Sequence, residues 1–338
     1  MQPKIWMATL GLTTLAWIGS VATSVADTVP PHDDTLSPPA GQQTQHHELT
    51  DLPGGTLRLA YRGMETPFEL FSAFVMPGED LTVEVSGTEG AALEVGATAG
   101  ALNAESATIW TWHAPRTPGL YTLTFRTDTK KSFLNAFVLV PYEGEEVLNG
   151  YRIGRYQQEP LRGNPAYERP RGLIEVTPEL ASVHVSPHFR LGQFLCKQDA
   201  TFPKYLALQE RLLLKLEALL SRVQERGINV DTFHVMSGYR TPFYNARIGN
   251  ETVYSRHGYG DAADIFIDRN RDGRMDDLNR NGRSDVGDAA QLLAWAEELD
   301  NAEPEALAGG LGLYGPKRHR GPFVHVDARG YDARWKGR

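Results

Sequence analysis

The sequence predicts two domains, an all-β immunoglobulin-like sandwich followed by an α+β domain with an antiparallel sheet. Short runs that alternate apolar and polar residues, separated by Pro-Gly and Gly-rich turns, occupy residues 51–142. After residue 204 the apolar residues recur at helical spacing instead. Several short strand-like runs, not contiguous in sequence, follow together with a further helix. The chain of 338 residues is long enough for two hydrophobic cores.

The N-terminal residues 1–26 predict a cleaved export signal, in which Lys4 precedes a mostly apolar run and then small residues. We expect cleavage after Ala26, and cleavage after Ala22 is the alternative. A membrane anchor is the other interpretation, but the run is short for a span of ~20 residues and lacks a stop-transfer flank. The sequence therefore predicts an exported protein, periplasmic or extracellular, without a membrane span after signal cleavage.

Residues 27–50 are rich in Pro, Gln, Asp and Thr and predict a flexible linker. The sandwich is expected over residues 51–142, with about six or seven strands. This segment has no convergent His, Asp or Glu motif, so it is predicted to be a positioning or binding module. Residues 143–180, rich in Gly, Pro, Arg and Tyr, are predicted to be a connector.

The α+β domain is expected over residues 181–338. Lys204–Arg226 carries apolar residues three and four apart and predicts a helix that stops at Gly227. Three strands and a second helix are predicted at Phe233–Gly238, Ala263–Asp268, Phe323–Asp327 and Ala289–Leu299.

Composition and charge exclude some classes of function. The chain is 41% hydrophobic and 22% charged, as in ordinary globular proteins, and its formal net charge is -8. This balance provides no basic surface and argues against nucleic acid as the main partner. Cys196 is the only cysteine, so no intrachain disulfide forms. Its apolar neighbours predict a buried small side chain rather than a nucleophile or a zinc ligand.

Two histidines and an aspartate predict a zinc site. His257 and Asp264 lie seven residues apart in SRHGYGDAADIFID, and His325 lies in FVHVD. Gly258 and Gly260 are expected to form a tight turn that brings His257 next to the strand of Asp264. Catalytic zinc takes three such protein ligands and keeps the fourth corner of its tetrahedron for water. His325 would complete the set from a neighbouring strand.

Three segments, SGYRTPFYNARIG, SRHGYGDAADI and FVHVD, resemble in this order the zinc D-Ala-D-Ala carboxypeptidase and murein endopeptidase family. That family shares its metal geometry with lysostaphin-type peptidases and the hedgehog signalling domain. The resemblance covers about Ser186 to Trp335, and it is greatest to exported murein endopeptidases that end in His-Val-Asp. The family motif SxHxxGxAxD falls on Ser255, His257, Gly260, Ala262 and Asp264.

The resemblance implies that Arg240, in Ser-Gly-Tyr-Arg, binds a carboxylate of the peptide substrate. A planar, permanently charged guanidinium suits a bidentate contact of this kind. A structural salt bridge is the alternative for Arg240. Tyr239 and Ser255 are the other candidates for substrate binding, and the alternatives are packing for Tyr239 and capping of the turn for Ser255.

The general base is the open question within the resemblance. Many family members place Glu or Asp three residues before the last ligand, or have a His-x-His pair, where this chain has Pro322 and Phe323. Asp327 is the first candidate because it lies two residues after His325, on the same strand face. An orienting carboxylate is the alternative for Asp327. His319 is the second candidate.

A second kind of metal site is predicted between residues 268 and 288, where D-x-[ND]-x-[ND]-G-x-x-D occurs twice in succession. Oxygen ligands at positions 1, 3, 5 and 9 and glycine at position 6 suit a calcium loop. The closing Glu is missing, so the loops resemble dockerin-type and thrombospondin-type repeats, and a plain polar loop is the alternative. The predicted structural calcium ligands are Asp268, Asn270, Asp272, Asp276, Asp277, Asn279, Asn281, Asp285 and Asp288.

Together these features predict an exported zinc metallopeptidase that hydrolyses peptidoglycan stem-peptide or cross-link amides, as a D,D-carboxypeptidase or a murein endopeptidase. The alternative is a non-catalytic binding protein of the envelope that uses zinc and calcium structurally. A peptidase acting on proteins is less well supported by the Ser-Gly-Tyr-Arg segment. The sequence has no signal for oligomeric state.

Overall fold

The computed structural model describes residues 55–250 and 252–337. The predicted signal peptide and linker, residues 1–50, lie outside the described residues. In the described part of the chain, no helix combines the length and the apolar character needed to cross a bilayer.

Nine strands form two β-sheets in the N-terminal half. One sheet has the order β2-β1-β4-β7-β6, and the other has the order β3-β9-β8-β5. All pairings are antiparallel except that of β3 with β9, which is parallel. The strands are β1 (Arg58–Tyr61), β2 (Met64–Thr66), β3 (Leu70–Val75), β4 (Asp80–Ser86), β5 (Glu94–Ala97), β6 (Ala101–Ala104), β7 (Ile109–His113), β8 (Gly119–Arg126) and β9 (Lys131–Val138).

The burial of β4 shows how the sequence produces this arrangement. Its exposed and buried residues alternate strictly, so Leu81, Val83 and Val85 face inward. They share one core with Phe71 and Phe125 of the other sheet. The predicted β architecture of this half is confirmed, and its pairings are mostly antiparallel.

Strand β3 departs from alternation because all six of its residues are buried. One face contributes to the sandwich core, and the other face is covered by the C-terminal half. The Ser72 hydroxyl donates to the carbonyl of Val185 at 2.7 Å, and the Phe74 N–H donates to Glu210 at 3.0 Å. The same Glu210 pairs with Arg62 at 3.2 Å. Polar and apolar contacts therefore join the sandwich to the second half.

The predicted connector, residues 143–180, lies within a run of short elements. Residues 140–206 form short strands and a helix, and β13 lies between β10 and β16 in a three-stranded sheet. The segment is rich in glycine and proline, and backbone pairing across it fixes its path. The elements are β10 (Val140–Pro141), β11 (Val147–Leu148), β12 (Tyr151–Arg152), β13 (Gly172–Val176), α1 (Pro178–Ala181), β14 (His184–Ser186), β15 (Phe189–Arg190) and β16 (Lys204–Leu206).

The C-terminal half contains helices on a five-stranded sheet with the order β17-β18-β20-β19-β21. Its pairings are antiparallel except that of β19 with β21, which is parallel. The elements are α2 (Glu210–Glu225), β17 (His234–Ser237), α3 (Pro242–Arg247), β18 (Ala262–Phe266), α4 (Val286–Ala302), α5 (Pro304–Leu307), β19 (Gly310–Tyr314), β20 (Phe323–Asp327) and β21 (Ala333–Gly337).

Two helix boundaries differ from the prediction. The helix predicted from Lys204 begins at Glu210, because Lys204–Leu206 pairs with β13 as strand β16. Helix α4 begins at Val286, earlier than predicted, because Asp285 and Asp288 form a capping box at its N-terminus.

A buried ion pair connects helix α2 to helix α4. The Lys215 ammonium is inaccessible to solvent and lies 2.7 Å from the carboxylate of Asp300 on α4. It also donates to the carbonyls of Leu307 and Asp327, at 3.0 and 3.1 Å. One cation therefore fixes the end of strand β20.

Replacing Lys215 with methionine should destabilise the fold by about 3 kcal/mol, because the Asp300 carboxylate and two carbonyls lose a buried donor. Chemical denaturation of Lys215→Met measures this change. Arg58→Met is the matched control, since Arg58 forms an exposed ion pair with Glu65. This substitution should lower the free energy of unfolding by no more than about 0.5 kcal/mol. Equal losses in the two variants would contradict the prediction.

Candidate metal centre

Two of the predicted ligands are brought together by strand register. Asp264 on β18 and His325 on β20 are direct cross-strand partners. Partners across an antiparallel pair lie on the same face of the sheet, with Cβ atoms about 5 Å apart. The register, fixed by the apolar residues on either side, therefore places both side chains over one point of the sheet.

The third ligand comes from a turn that precedes β18. His257 lies in a short 3-10 helix, Arg256–Tyr259, which ends at Gly260 with a positive φ of 76°. A Cβ at Gly260 would stand 2.4 Å from the backbone of Ala207, so this position requires glycine. Gly258 has no such requirement, since a Cβ at that position would stand 3.7 Å from its nearest neighbour. The predicted tight turn therefore depends on the second glycine.

The three side chains converge as the sequence predicts. His257 Nε2 lies 3.1 Å from His325 Nδ1 and 3.3 Å from Asp264 Oδ1, and the last two atoms are 3.0 Å apart. Donors at zinc's usual bond length of ~2.05 Å stand about 3.3 Å apart in a tetrahedron. Among the described residues this is the one cluster of His, Cys, Asp and Glu that could hold a metal ion.

The partners of the two imidazoles leave a lone pair on each inward nitrogen. His257 Nδ1 is 2.7 Å from the carbonyl of Gly238, which only accepts, so this nitrogen carries the proton and Nε2 does not. His325 Nε2 is 3.1 Å from Asp327 Oδ2, and that carboxylate likewise accepts. Nδ1 of His325 is therefore the nitrogen available to an ion. These are the outer contacts that orient metal-binding histidines.

Two lone pairs and a carboxylate facing one another require a cation between them. Burial lowers the pKa of His257, which favours its neutral form. Burial also acts to lower the pKa of His325, but hydrogen bonds to Asp264 and Asp327 outweigh it and raise that pKa. Burial would raise the pKa of Asp264, yet the two histidines and Arg240 hold it well below its usual value. Without a metal, protonation of His325 is therefore favoured over protonation of His257.

Arg240 takes a different position from the one that the resemblance implies. Its Nη2 donates to Asp264 Oδ2, and its Nε donates to the Ser237 hydroxyl at 2.7 Å. Asp264 therefore directs Oδ1 towards the histidines and Oδ2 towards Arg240. This geometry is that of the salt-bridge alternative, because Arg240 orients the carboxylate of the predicted ligand Asp264. Only part of its guanidinium group remains available to a substrate.

Asp327 is not placed to take a proton from water. It is inaccessible to solvent, and Oδ1 accepts from the Gly310 N–H at 2.7 Å while Oδ2 accepts from His325 and Arg329. These contacts hold the pKa of Asp327 far below its usual value although burial opposes the shift. The prediction of a general base is replaced by the orienting role that the sequence left as its alternative.

The remaining candidates separate by exposure. Tyr239 is 2% exposed and its hydroxyl lies 2.9 Å from that of Tyr156, so it packs beneath the site rather than lining a cleft. Ser255 precedes the turn of His257 and accepts the Gly258 N–H on its backbone carbonyl at 2.9 Å. His319 is exposed, in the loop between β19 and β20. Of these three, Tyr239 is buried, Ser255 is half-buried with no capping bond from its side chain, and His319 is exposed.

Two cations near the site carried no recognisable motif in the sequence. Lys197 follows Cys196 in a segment held against Tyr239, whose N–H donates to the carbonyl of Phe194 at 2.9 Å. Burial and the charge of Arg240 lower the pKa of Lys197, and Asp264 acts in the opposite direction. Arg320 lies 4.6 Å above the ring of Phe323, and burial lowers its pKa against the attraction of Asp264. Such cations favour an acidic ligand.

The predicted calcium loops are two copies of one backbone arrangement. Asp268 accepts the N–H groups of Asp272 and Gly273, both at 3.0 Å, and Asp277 accepts those of Asn281 and Gly282 at 3.0 and 2.7 Å. The nine-residue repeat in the sequence is thus a repeat in structure.

Asp288 closes the second loop onto helix α4. It is inaccessible to solvent and accepts the N–H groups of Leu278, Asn279 and Asp285 at 2.8 to 3.0 Å. These contacts account for Asp288 as a helix-capping residue.

Comparison with known proteins adds little. No family model and no curated protein matches the chain. Among solved structures, the M1 domain from titin is 12% identical over 20% of this chain and 87% of its own, with a TM-score of 0.16. The Dscam1 Ig7 domain, isoform 5, is 13% identical over 25% of this chain and 97% of its own, with a TM-score of 0.17. SGBP-B of the Bacteroides ovatus mixed-linkage glucan utilization locus is 16% identical over 26% of this chain and 30% of its own, with a TM-score of 0.15. These values support no conclusion on fold or activity.

Zinc binding should release one proton when the pH lies below the pKa of His325, because the ion displaces the proton on Nδ1. The apparent zinc affinity should rise about tenfold per pH unit in this range and level off above it. Calorimetric titration at about pH 6.5, near the usual histidine pKa, in two buffers of different ionisation enthalpy measures the proton count. An enthalpy that is the same in both buffers would contradict the assignment.

Proposed function

We propose that the chain is a zinc metallopeptidase that hydrolyses amide bonds of peptidoglycan peptides outside the cytoplasm. The convergence of His257, Asp264 and His325, with the outer nitrogen of each imidazole facing an acceptor oxygen, supports this proposal most strongly. Two nitrogens and one carboxylate oxygen are a ligand set of catalytic zinc, and their number leaves a fourth corner for water. Softer metals that prefer thiolates are not favoured by this set.

The substrate class is proposed from two sources. The segments SGYR, SRHGYGDAAD and FVHVD resemble murein peptidases, and the charge near the site suits acidic peptides. Lys197 and Arg320 are two cations near the site, and each interacts with Asp264 through charge and not through a hydrogen bond. Peptidoglycan stem peptides carry free carboxylates, so both groups could stabilise the bound substrate.

In this proposal the chain's residues hold the reacting groups in place. A bound zinc ion supplies a Lewis acid that polarises the scissile carbonyl and lowers the pKa of water towards ~7. Arg240 keeps Asp264 turned so that one oxygen faces the ion, and Asp327 keeps the His325 ring fixed. His319 stays the candidate for proton transfer, since Asp327 has no free oxygen.

A non-catalytic zinc protein is the second candidate, and two observations favour it. His257, Asp264 and His325 are 3%, 3% and 6% exposed, and an enclosed set of donors is typical of structural zinc. The positions where related peptidases carry an acid or a histidine are Pro322 and Phe323. Under this alternative the protein binds the envelope without cleaving it.

Purified sacculi incubated with the zinc-loaded protein should release new muropeptides, which His257→Ala should reduce at least about a thousandfold through loss of the metal. Liquid chromatography of the soluble products measures the release. His234→Ala is the matched control, because His234 stacks on Phe266 outside the ligand set and should retain activity. Intact sacculi after incubation with protein of verified zinc content would favour the non-catalytic alternative.

We also propose that the two loops of residues 268–285 bind structural calcium. The carboxylates of Asp268 and Asp277 lie at the first position of each loop, where calcium sites place a ligand. The first loop follows directly from strand β18, and the Asp276 N–H returns to the carbonyl of Ile267 at 2.8 Å. Calcium there would stiffen the strand that carries Asp264.

Calcium at about one hundred times its Kd should raise the thermal midpoint by at least about 3 °C with zinc held constant, because it binds only the folded loops. Differential scanning fluorimetry measures the shift. The double variant Asp268→Asn, Asp277→Asn should lose this response, and magnesium at the same concentration serves as the control ion. A midpoint that calcium leaves unchanged would remove the calcium proposal without affecting the zinc site.

A further inference from the structure

The connector reaches the metal centre through one tyrosine hydroxyl. Tyr156 lies between β12 and β13, and its hydroxyl is 2.7 Å from the carbonyl of Gly258 and 2.9 Å from the hydroxyl of Tyr239. Gly258 directly follows the ligand His257. Tyr239 directly follows Gly238, whose carbonyl accepts the His257 Nδ1 proton. Tyr156 thus links Gly258, which follows His257, to Tyr239, which follows the residue whose carbonyl orients the His257 ring.

The direction of these hydrogen bonds is fixed by chemistry. A carbonyl only accepts, so Tyr156 gives its single proton to Gly258, and Tyr239 donates to the oxygen of Tyr156. Burial raises the pKa of both phenols, which keeps these donors protonated. A third hydrogen bond links the same two segments, since the backbone N–H of Arg240 donates to the carbonyl of His257 at 3.1 Å.

Other connector contacts hold the turn on either side of the ligand. The Arg256 guanidinium donates to the carbonyl of Ala166 at 2.7 Å and lies 4.4 Å from the ring centre of Tyr167. The Tyr254 hydroxyl donates to the carbonyl of Glu159 at 2.9 Å. The turn of residues 254–260 therefore packs against the connector as well as against its own sheet.

We propose that Tyr156 is a positioning residue of the metal centre, which sets the angle of the His257 ring by holding Gly258 and Tyr239 in place. The inference rests on the zinc site of the proposed function, but it does not require that the site be catalytic. It makes the connector part of the metal centre. An isolated domain beginning at residue 181 would lack this hydroxyl.

The test compares zinc affinity in three tyrosine-to-phenylalanine variants of the full chain. Tyr156→Phe keeps the ring and removes the bonds to Gly258 and Tyr239. Tyr239→Phe removes one bond and leaves the hydroxyl of Tyr156 on Gly258. Tyr142→Phe is the matched control, because its hydroxyl donates to the carbonyl of Glu145 at 3.0 Å and its ring touches Tyr156 without reaching the turn.

Competition with a chromogenic chelator should show that Tyr156→Phe weakens zinc binding about ten- to a hundredfold, as expected when an outer contact of a ligand is lost. Tyr239→Phe should weaken it less, and Tyr142→Phe should change it less than about twofold. In the cobalt-substituted protein, the intensity of the visible absorption bands should change in Tyr156→Phe and remain that of the wild type in Tyr142→Phe. A general loss of stability would not change the band intensity of the folded, cobalt-loaded protein.

A folded Tyr156→Phe variant, verified by circular dichroism, that binds zinc like the wild type would overturn the inference. Equal losses in Tyr156→Phe and Tyr142→Phe would also overturn it. Should Tyr156→Phe fail to fold, Tyr239→Phe decides, with wild-type affinity counting against the inference. Sacculi left intact by zinc-loaded wild type would remove the peptidase proposal and leave this one standing.

Discussion

The C-terminal half depends on one electrostatic constraint, the convergence of three acceptor atoms at a buried point. Nε2 of His257, Nδ1 of His325 and Oδ1 of Asp264 lie 3.0 to 3.3 Å apart with their outer partners fixed. Such an arrangement is unfavourable unless a cation stands among the three. The residues around it impose this convergence, and the resulting cluster could hold a metal ion.

The supporting contacts extend in layers away from that point. Asp327 and Gly238 fix the imidazoles, and Arg240 fixes the carboxylate. Behind them, Lys215 holds the carbonyl of Asp327 from helix α2. Each layer is hydrogen-bonded and most of its residues are buried, so a polar centre is tolerated inside an apolar sheet because its polar groups have partners.

The sandwich and the connector are structurally continuous with this half. Glu210, the first residue of helix α2, accepts from the backbone of Phe74 and pairs with Arg62 of the sandwich. The connector contributes strand β13 and the hydroxyl of Tyr156. The fold that presents the metal ligands is therefore assembled from segments on both sides of the predicted domain boundary.

The sequence by itself determined the strand periods, the leucine-rich helix and the three side chains that could hold a metal ion, because these follow from local spacing and side-chain chemistry. The start of helix α2 at Glu210 was decided by the pairing of Lys204–Leu206 with β13, which joins distant segments. The contacts of Asp327 and Arg240 were also decided in three dimensions. Residue type shows what a carboxylate or a guanidinium is able to do, whereas burial and neighbours decide which of these abilities remains available.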